Sequence, residues 1–347
     1  LLNEGGTDLT TFDLLVARLN PFDIDLRELW KRSCRELPSI EEFRVDPIYI
    51  LKTMLLIRQS ESENPTCTLA QVKRIHKRYR DEPSVRKAFE QEWHTACRSM
   101  DRAISDLKNE FGVGDPKYLP YSPMLIPLAA VKWYVRDYDQ RFKGRMKGRL
   151  RRWYWGSIFS KAYDKSTDTR IGEHFAALRD WLSPRRRSNV PTVINFRMSK
   201  SEVEEAISRV RSTADAVYKA MLCMPFVQGA KDIYSHDFLG NGTKLHDHHI
   251  FPKAFLMAQA ERNGESDETD EILDKMNHPV NRMLITGRTN LEIQDKPPQR
   301  YLEAADARIL RRHFLPPQLV ARKVDFLSFF DRRQTMIVDF ACHRLLR

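Results

Sequence analysis

The sequence predicts a mainly α fold, a multi-helix body carrying one small inserted strand–loop–strand–helix unit. Three observations support this. Apolar residues recur at helical spacing along most of the 347 residues, the pattern of amphipathic and buried helices. Two of these runs are preceded by Ser or Thr with an acidic residue three positions on, the capping-box signature. Only "KLHDHHIF" and "VNRMLITGRTN" read as short strands, and both lie late in the chain.

In chain order, "TTFDLLVARL" opens with Thr10 and Asp13 in capping-box spacing, after a helix-entry turn at Gly5–Gly6. "DPIYILKTMLLIRQ" is apolar on nearly every face and predicts a buried helix. From about Ser84 to Phe111 a single stripe carries Val85, Phe89, Trp93, Ala96 and Ile104. Pro116, Pro120, Pro123 and Pro127 then break the chain into turns. "LAAVKWYVRDYDQRF" and "RRWYWGSIFSKAY" are again helical, with a glycine-containing basic hinge expected between them. Pro184 to Phe196 is an irregular connector. Ser199 and Glu202 form the second capping box, expected to start a helix that runs to about Met224.

The character changes after Pro225. "DIYSHDFLGNGTKLHDHHIF" is rich in turns and then strand-like, while "AQAERNGESDETDEILDKMNHP" is polar and acidic, as expected of a surface insertion. Beyond Lys296 the pattern is helical to the end. These changes divide the chain into 1–20, the tail of a further N-terminal domain; 21–225, the α-helical body; and 226–347, the strand-bearing unit with closing helices. An opening of "LLNEGGTDL" without methionine suggests a fragment of something longer.

Composition narrows the function classes. A hydrophobic share of 41% with 30% charged residues is that of a folded globular chain. Lys and Arg exceed Asp and Glu by 58 to 47, a net +11, which favours polyanionic partners, nucleic acid first and an anionic membrane surface second. The cysteines, Cys34, Cys67, Cys97, Cys223 and Cys342, stand far apart. That spacing reads as reduced thiols of a cytoplasmic protein, neither a disulfide framework nor a zinc ribbon. The most apolar run, "PMLIPLAAV", is too short to span a bilayer, so no membrane partner is expected. Without a GxxxxGK[ST] motif, no nucleotide site is assignable.

The chemistry-bearing residues gather in "KLHDHHIFPKAFL", which puts three of the chain's ten histidines within His246 to His249. Phosphodiester hydrolysis needs a base to activate water, positive charge on the developing phosphorane, and help for the leaving oxygen. An imidazole suits the first task and a divalent cation the others. His248 and His249 end the first strand, so their side chains point to opposite sides, one to a metal and the other to the substrate phosphate. Asn281 begins the second strand and Asn290 ends it nine residues later. At roughly 3.3 Å per residue, a hairpin of that size returns Asn290 to the histidine pair as a metal ligand through its amide oxygen. Asn281 is then free to pin the loop after His249, and Lys296 to meet a phosphate.

Taken in order, "DHHIFPKAFL", "VNRMLITGRTN" and "DKPPQRYL" resemble the HNH (ββα-metal) nuclease motif, in the form found in the C-terminal domain of GmrSD-type, type IV restriction endonucleases. The match covers about 60 residues. It implies that His249 is the general base, His248 and Asn290 the metal ligands and Asn281 the structural asparagine, around a divalent ion, Mg²⁺ first and Mn²⁺ second. It further implies a DNA endonuclease of a prokaryotic restriction or anti-phage defence system, acting on double-stranded DNA that is modified or unmodified. One such site cuts one strand, so nicking is expected unless two chains cooperate. A weaker likeness joins "LLNEGGTDLTTFDLL" and "RRWYWGSIFSKAY" to helical parts of that family, whose DGQQR stretch, tied to nucleotide-dependent regulation in a further N-terminal domain, is absent here. His248 stands where relatives often carry Asp or Glu. Asp247 is on the other strand face and His246 shares the face of His248; both are assigned supporting places behind the ligands.

A histidine pair at a strand end is more often incidental; Pro252, Asn281 and Asn290 at the family's relative positions separate this case from that one. The alternative is a DNA-binding or interaction module whose ββα unit is structural. His278 and His236 are expected outside the site, His278 solvent-exposed in a turn. The run Arg141 to Arg152 holds seven basic residues and no acid. It is either a solvated helix face or a phosphate-backbone contact through Lys143, Arg145, Lys147, Arg149, Arg151 and Arg152, with Lys253 added from the strand-bearing unit. Trp153, Tyr154 and Trp155, which follow, are read as core, as are Cys223 and Cys342. Arg185 to Arg187 is a weaker basic cluster.

Overall fold

The computed structural model describes residues 10–79, 84–138, 140–183, 189–237, 239, 244–303, 305–321 and 325–347, the side chains of 140–143 and 320–321 excepted. Gly5–Gly6 and Arg185–Arg187 lie outside the described residues. The protein is mainly helical, with a small two-stranded sheet. It divides into two compact units: Leu1–Asp106, Tyr121–Arg149 and Ala162–Asn195 form one, and Leu107–Pro120, Leu150–Lys161 and Phe196–Arg347 the other.

The first unit is built from helices whose starts are written in the sequence. Thr10 and Asp13 close a reciprocal capping box on the helix Thr11–Leu19, and Asp46 caps Pro47–Arg58, with proline in the first turn. Pro47–Arg58 is buried on most sides, with Leu51, Leu55 and Leu56 fully so, as its uninterrupted apolar run requires. It packs against Leu125–Tyr134, which also packs on Thr167–Leu182. In the long helix Val85–Glu110, Trp93 is buried and its indole N–H donates to the Ser33 hydroxyl at 2.9 Å. The buried ring thereby keeps its one polar atom satisfied.

Three expectations are corrected. There is no hinge at the basic run: one helix, Gln140–Phe159, passes through Gly144 and Gly148, and the break falls earlier, after Tyr134. The buried positions Met146, Leu150, Trp153 and Ser157 recur every three or four residues along it, and that stripe outweighs the roughly 1 kcal/mol cost of each helical glycine. The helix begun at Ser199 stops at Ser208. Asp215 caps a second one, Ala216–Val227, by accepting from Val217 N–H at 2.8 Å. The polar stretch after Pro252 is two helices, Lys253–Asn263 and Asp267–Lys275, which turn Leu256, Ala260 and Ile272 inward.

Trp153, Tyr154 and Trp155 are fully buried, as is Cys223, whereas Cys342 is half-buried. The cysteines are all free thiols. The strands β1 (Leu245–His249) and β2 (Arg282–Thr286) pair antiparallel, with the helix Gly287–Ile293 following directly. Among the described residues no helix is long and apolar enough to cross a membrane.

Candidate functional site

In the β1–β2 ladder His248 lies opposite Met283 and His249 opposite Arg282. Alternation puts Asp247 and His249 on one face and His246 and His248 on the other. The chain leaves the ladder after His249 because Asn281 captures it. This fully buried side chain accepts from Phe251 N–H at 2.9 Å and donates to the carbonyls of Phe251 (3.1 Å) and Met276 (2.9 Å). Asn281 ends the 3-10 turn Pro279–Asn281 just ahead of β2, one step before the strand start expected for it. Its amide satisfies three backbone groups that would otherwise be buried unpaired.

Asn290 reaches the histidines by another route than a strand end. β2 stops at Thr286, whose hydroxyl caps the helix Gly287–Ile293 by accepting from Thr289 N–H at 3.2 Å. The buried Asp232 fixes that junction by accepting from Thr286 N–H at 2.9 Å and from the Thr289 hydroxyl. Burial alone would raise the Asp232 pKa, but the Thr289 hydroxyl and the N–H groups of Thr286, Tyr234 and Ser235 bring it below the usual carboxylate value. The helix turns Asn290 back, so that its Oδ1 lies 3.1 Å from His248 Nδ1.

His248 is 8% exposed, and burial lowers its pKa despite the bond to Asn290. Its ring meets that of Tyr301 edge-on at 5.9 Å, and the Tyr301 hydroxyl donates to the Ile250 carbonyl at 2.9 Å. His249 is half-buried, its pKa lowered by burial and then by the nearby Arg282 guanidinium. Its Nε2 lies 3.1 Å from Oδ1 of Asn277. An amide oxygen only accepts, so Nε2 carries the proton and Nδ1 keeps a lone pair for a substrate proton. Asp247, on the same face, accepts from the Tyr218 hydroxyl at 2.7 Å and stands 3.6 Å from Arg282. A cavity of about 300 Å³ adjoins these groups, lined in part by Arg211, Ser212, Tyr218, Asn277 and Arg282.

The remaining assignments fare differently. His246 comes close to Gly287, where an added Cβ would stand 3.2 Å from its Nε2. Lys296 donates to the Glu292 carbonyl at 2.8 Å, and Lys253 is exposed at the start of its helix. His278 is buried, not exposed. It caps the turn by accepting from Val280 N–H, and its Nε2 lies 3.0 Å from the Ile207 carbonyl, so burial lowers its pKa to about 4. In the basic run the side chain of Lys143 lies outside the described residues. Arg145 and Lys147 are exposed. Arg149 lies over the Trp181 ring and donates to the Trp181 carbonyl. Arg151 faces Glu110 at 3.7 Å, and Arg152 is half-buried. The run is split between units, with Arg149 in the first and Arg151 and Arg152 in the second.

No protein-family profile matches the chain. It is similar to an uncharacterised protein of Methanocaldococcus jannaschii, with 27% identity over 312 residues. The alignment covers 87% of this chain and 48% of the archaeal protein, so the chain spans about half the length of the curated relative it matches.

The donor set can be tested against a divalent ion. Two ligands at adjacent corners of an octahedron, each about 2.1 Å from the metal, stand roughly 3.0 Å apart. The 3.1 Å between His248 Nδ1 and Asn290 Oδ1 is close to that edge, and an ion would take the place of the proton that Nδ1 donates to the amide oxygen in this structure. Burial keeps His248 neutral, the state a ligand needs. Among the described residues no group of three His, Cys, Asp or Glu converges; the pair supplies one imidazole and one amide.

Sequence reasoning missed Asn277, Tyr218, Asp232, Arg282 and Arg333. The fully buried Arg333 donates to the carbonyls of Val280, Arg282 (2.9 Å) and His313 (3.2 Å), which holds the turn around Asn281 from behind. Of these only Asp232 left a local trace: in "DIYS" its carboxylate accepts from the N–H groups two and three residues on, an Asx-type turn. The others act across the fold.

Proposed function

We propose that this chain carries a metal-dependent DNA endonuclease site of the HNH type, acting as a nickase. The observation that carries the reading is the pairing of His248 Nδ1 with Asn290 Oδ1 at 3.1 Å, on the same strand as His249 with its Nε2 engaged by Asn277. A divalent ion, Mg²⁺ first and Mn²⁺ second, would be held by His248 and Asn290 and would supply positive charge to the scissile phosphate. His249 Nδ1 takes the proton of the attacking water, and its lowered pKa leaves the imidazole in the base form at neutral pH. Asn281 fixes the loop that leaves His249. The adjoining cavity, with Arg211 and Arg282, suits the flanking nucleotide. The motif's resemblance supports a setting in prokaryotic restriction or phage defence.

The test is Mg²⁺- or Mn²⁺-dependent nicking of supercoiled plasmid, prepared from hosts with and without base modification. His249→Ala is expected to abolish nicking while leaving DNA binding largely intact; undiminished cleavage by that variant rules the assignment out. One observation favours the second reading, a ββα unit without cleavage. The nearby carboxylate of Asp247 is engaged by Tyr218 and Arg282 on the strand face away from His248, so it does not join the ligand pair. Equal divalent-ion affinity in the parent chain and Asn290→Ala supports that reading.

A further inference from the structure

We propose that a second cavity, remote in sequence from β1, is a binding site for a phosphate group carried on an organic ligand. It has a volume of about 600 Å³ and is lined by Arg151, Val227, Gln228, Arg312, Phe340 and Arg344, all within the second unit. Three guanidiniums from three helical segments line one space, and no carboxylate is among its described lining residues. Arginine stays protonated under all ordinary conditions, so the cavity presents positive charge to an anion at any ordinary pH.

The surrounding acids leave that charge largely unanswered. Glu110 lies 3.7 Å from Arg151. Asp339, next in sequence to Phe340, pairs with Lys200 at 2.9 Å. Arg312 and Arg344 have no carboxylate partner among the described residues. The Nε of Arg151 is buried without a hydrogen-bond acceptor, a donor the fold leaves open.

Arg312 is also held in place. Arg312 donates to the Gly229 carbonyl at 2.8 Å, and the Gln228 side-chain amide donates to the Arg312 carbonyl at 3.2 Å. Gly229 has φ of +72°, a conformation that suits glycine. Arg344 sits on a π turn, Ala341–Leu345, closed by Leu346 N–H to the Ala341 carbonyl at 3.0 Å. The turn ends the helix Phe326–Phe340, where an i→i+5 bond is an ordinary closure.

A phosphate fits this set better than a carboxylate. It offers several acceptor oxygens and up to two charges to guanidinium forks. The cavity is larger than one phosphate, and Val227 and Phe340 give it an apolar wall for the attached group. The phosphate can belong to a nucleic-acid backbone or to a free small ester; the recognition chemistry is shared.

The inference stands apart from the nuclease reading, and its test uses no cleavage. Binding to the 347-residue chain is measured in EDTA, by titration with inorganic pyrophosphate and by anisotropy of a fluorescein-labelled 20-base-pair duplex. Arg344→Glu and Arg312→Ala/Arg344→Ala change exposed side chains, and circular dichroism checks their folding. We expect the parent chain to bind at least one probe and both variants to bind it on the order of ten-fold or more weakly. For the duplex, the double variant should also lose about one unit of salt slope, because the arginines share one phosphate. A loss confined to pyrophosphate identifies a free ester as the source, and a loss with the duplex identifies the backbone. No binding of either probe, or unchanged affinity of both variants, overturns the proposal. His249→Ala should bind like the parent chain whether or not the plasmid is nicked.

Discussion

Asn277 decides which nitrogen of His249 is free, and so which atom meets the water. In many histidine bases the orienting group is a carboxylate, which also raises the imidazole pKa. Here it is an amide that accepts from Nε2 at 3.1 Å and from Arg282 at 3.3 Å, while burial and Arg282 hold the pKa down. His249 therefore turns into the base form below its ordinary value of 6.5, and the acid limb of the cleavage profile is expected below that pH. Asn277→Asp keeps the acceptor and adds a negative charge beside the ring. The base then holds its proton more tightly, and the acid limb should move up by about one pH unit or more. Single-turnover nicking rates across pH 5 to 8 read the limb directly. An unmoved limb in Asn277→Asp means that this contact does not tune the base.

At the scale of elements, the helix Gln140–Phe159 is the clearest case of packing overriding local signals. A Cβ built at Gly144 or Gly148 meets nothing within 4 Å, and neither residue has positive φ. Alanine at both positions should therefore stabilise the protein by roughly 0.5–1 kcal/mol each, through the reduced entropy of the unfolded chain. Urea unfolding would show a higher midpoint at unchanged slope; a loss of stability would mean that the segment bends there after all. What sequence revealed follows the range of each interaction. Capping boxes at Thr10 and Ser199 and the stripe of Val85–Glu110 are local, and they were legible. So was the proximity of Asn290 to His248, although the return is made by a helix rather than a strand end. The break at 209–215 was missed because the flanking residues all tolerate a helix, and only the Asp215 cap marks it. Asn277, Arg282 and Arg333 act on groups brought near by folding, which no window of sequence contains.

Over the whole molecule, the buried histidines tie stability to pH, and three of those among the described residues, besides His248, show the largest shifts. His278 and His313 lie in the second unit and His174 in the first. Burial lowers their pKa values from 6.5 to about 4, about 4 and about 3 respectively. Each accommodates a neutral ring. His278 faces the Ile207 carbonyl, with Arg211, Asp274 and Lys275 nearby. His313 faces the Lys231 carbonyl, with Arg333 and Asp232 nearby, and His174 shares a 2.9 Å bond with the Tyr163 hydroxyl. Because the folded pKa lies below the unfolded value, the unfolded chain binds more protons between the two. Stability is then complete above about pH 6.5 and falls as the pH drops through that window towards 4. Each ring would account for on the order of 3 kcal/mol across the window, a large part of the margin of an ordinary domain. Urea unfolding at pH 7, 6 and 5 should show the midpoint falling steeply below 6.5. Replacing His278 and His313 with glutamine, which stays neutral and can still donate to a carbonyl, should flatten that fall even if it lowers the midpoint at pH 7. A double variant that loses stability with acid as steeply as the parent would show that other groups carry the pH dependence.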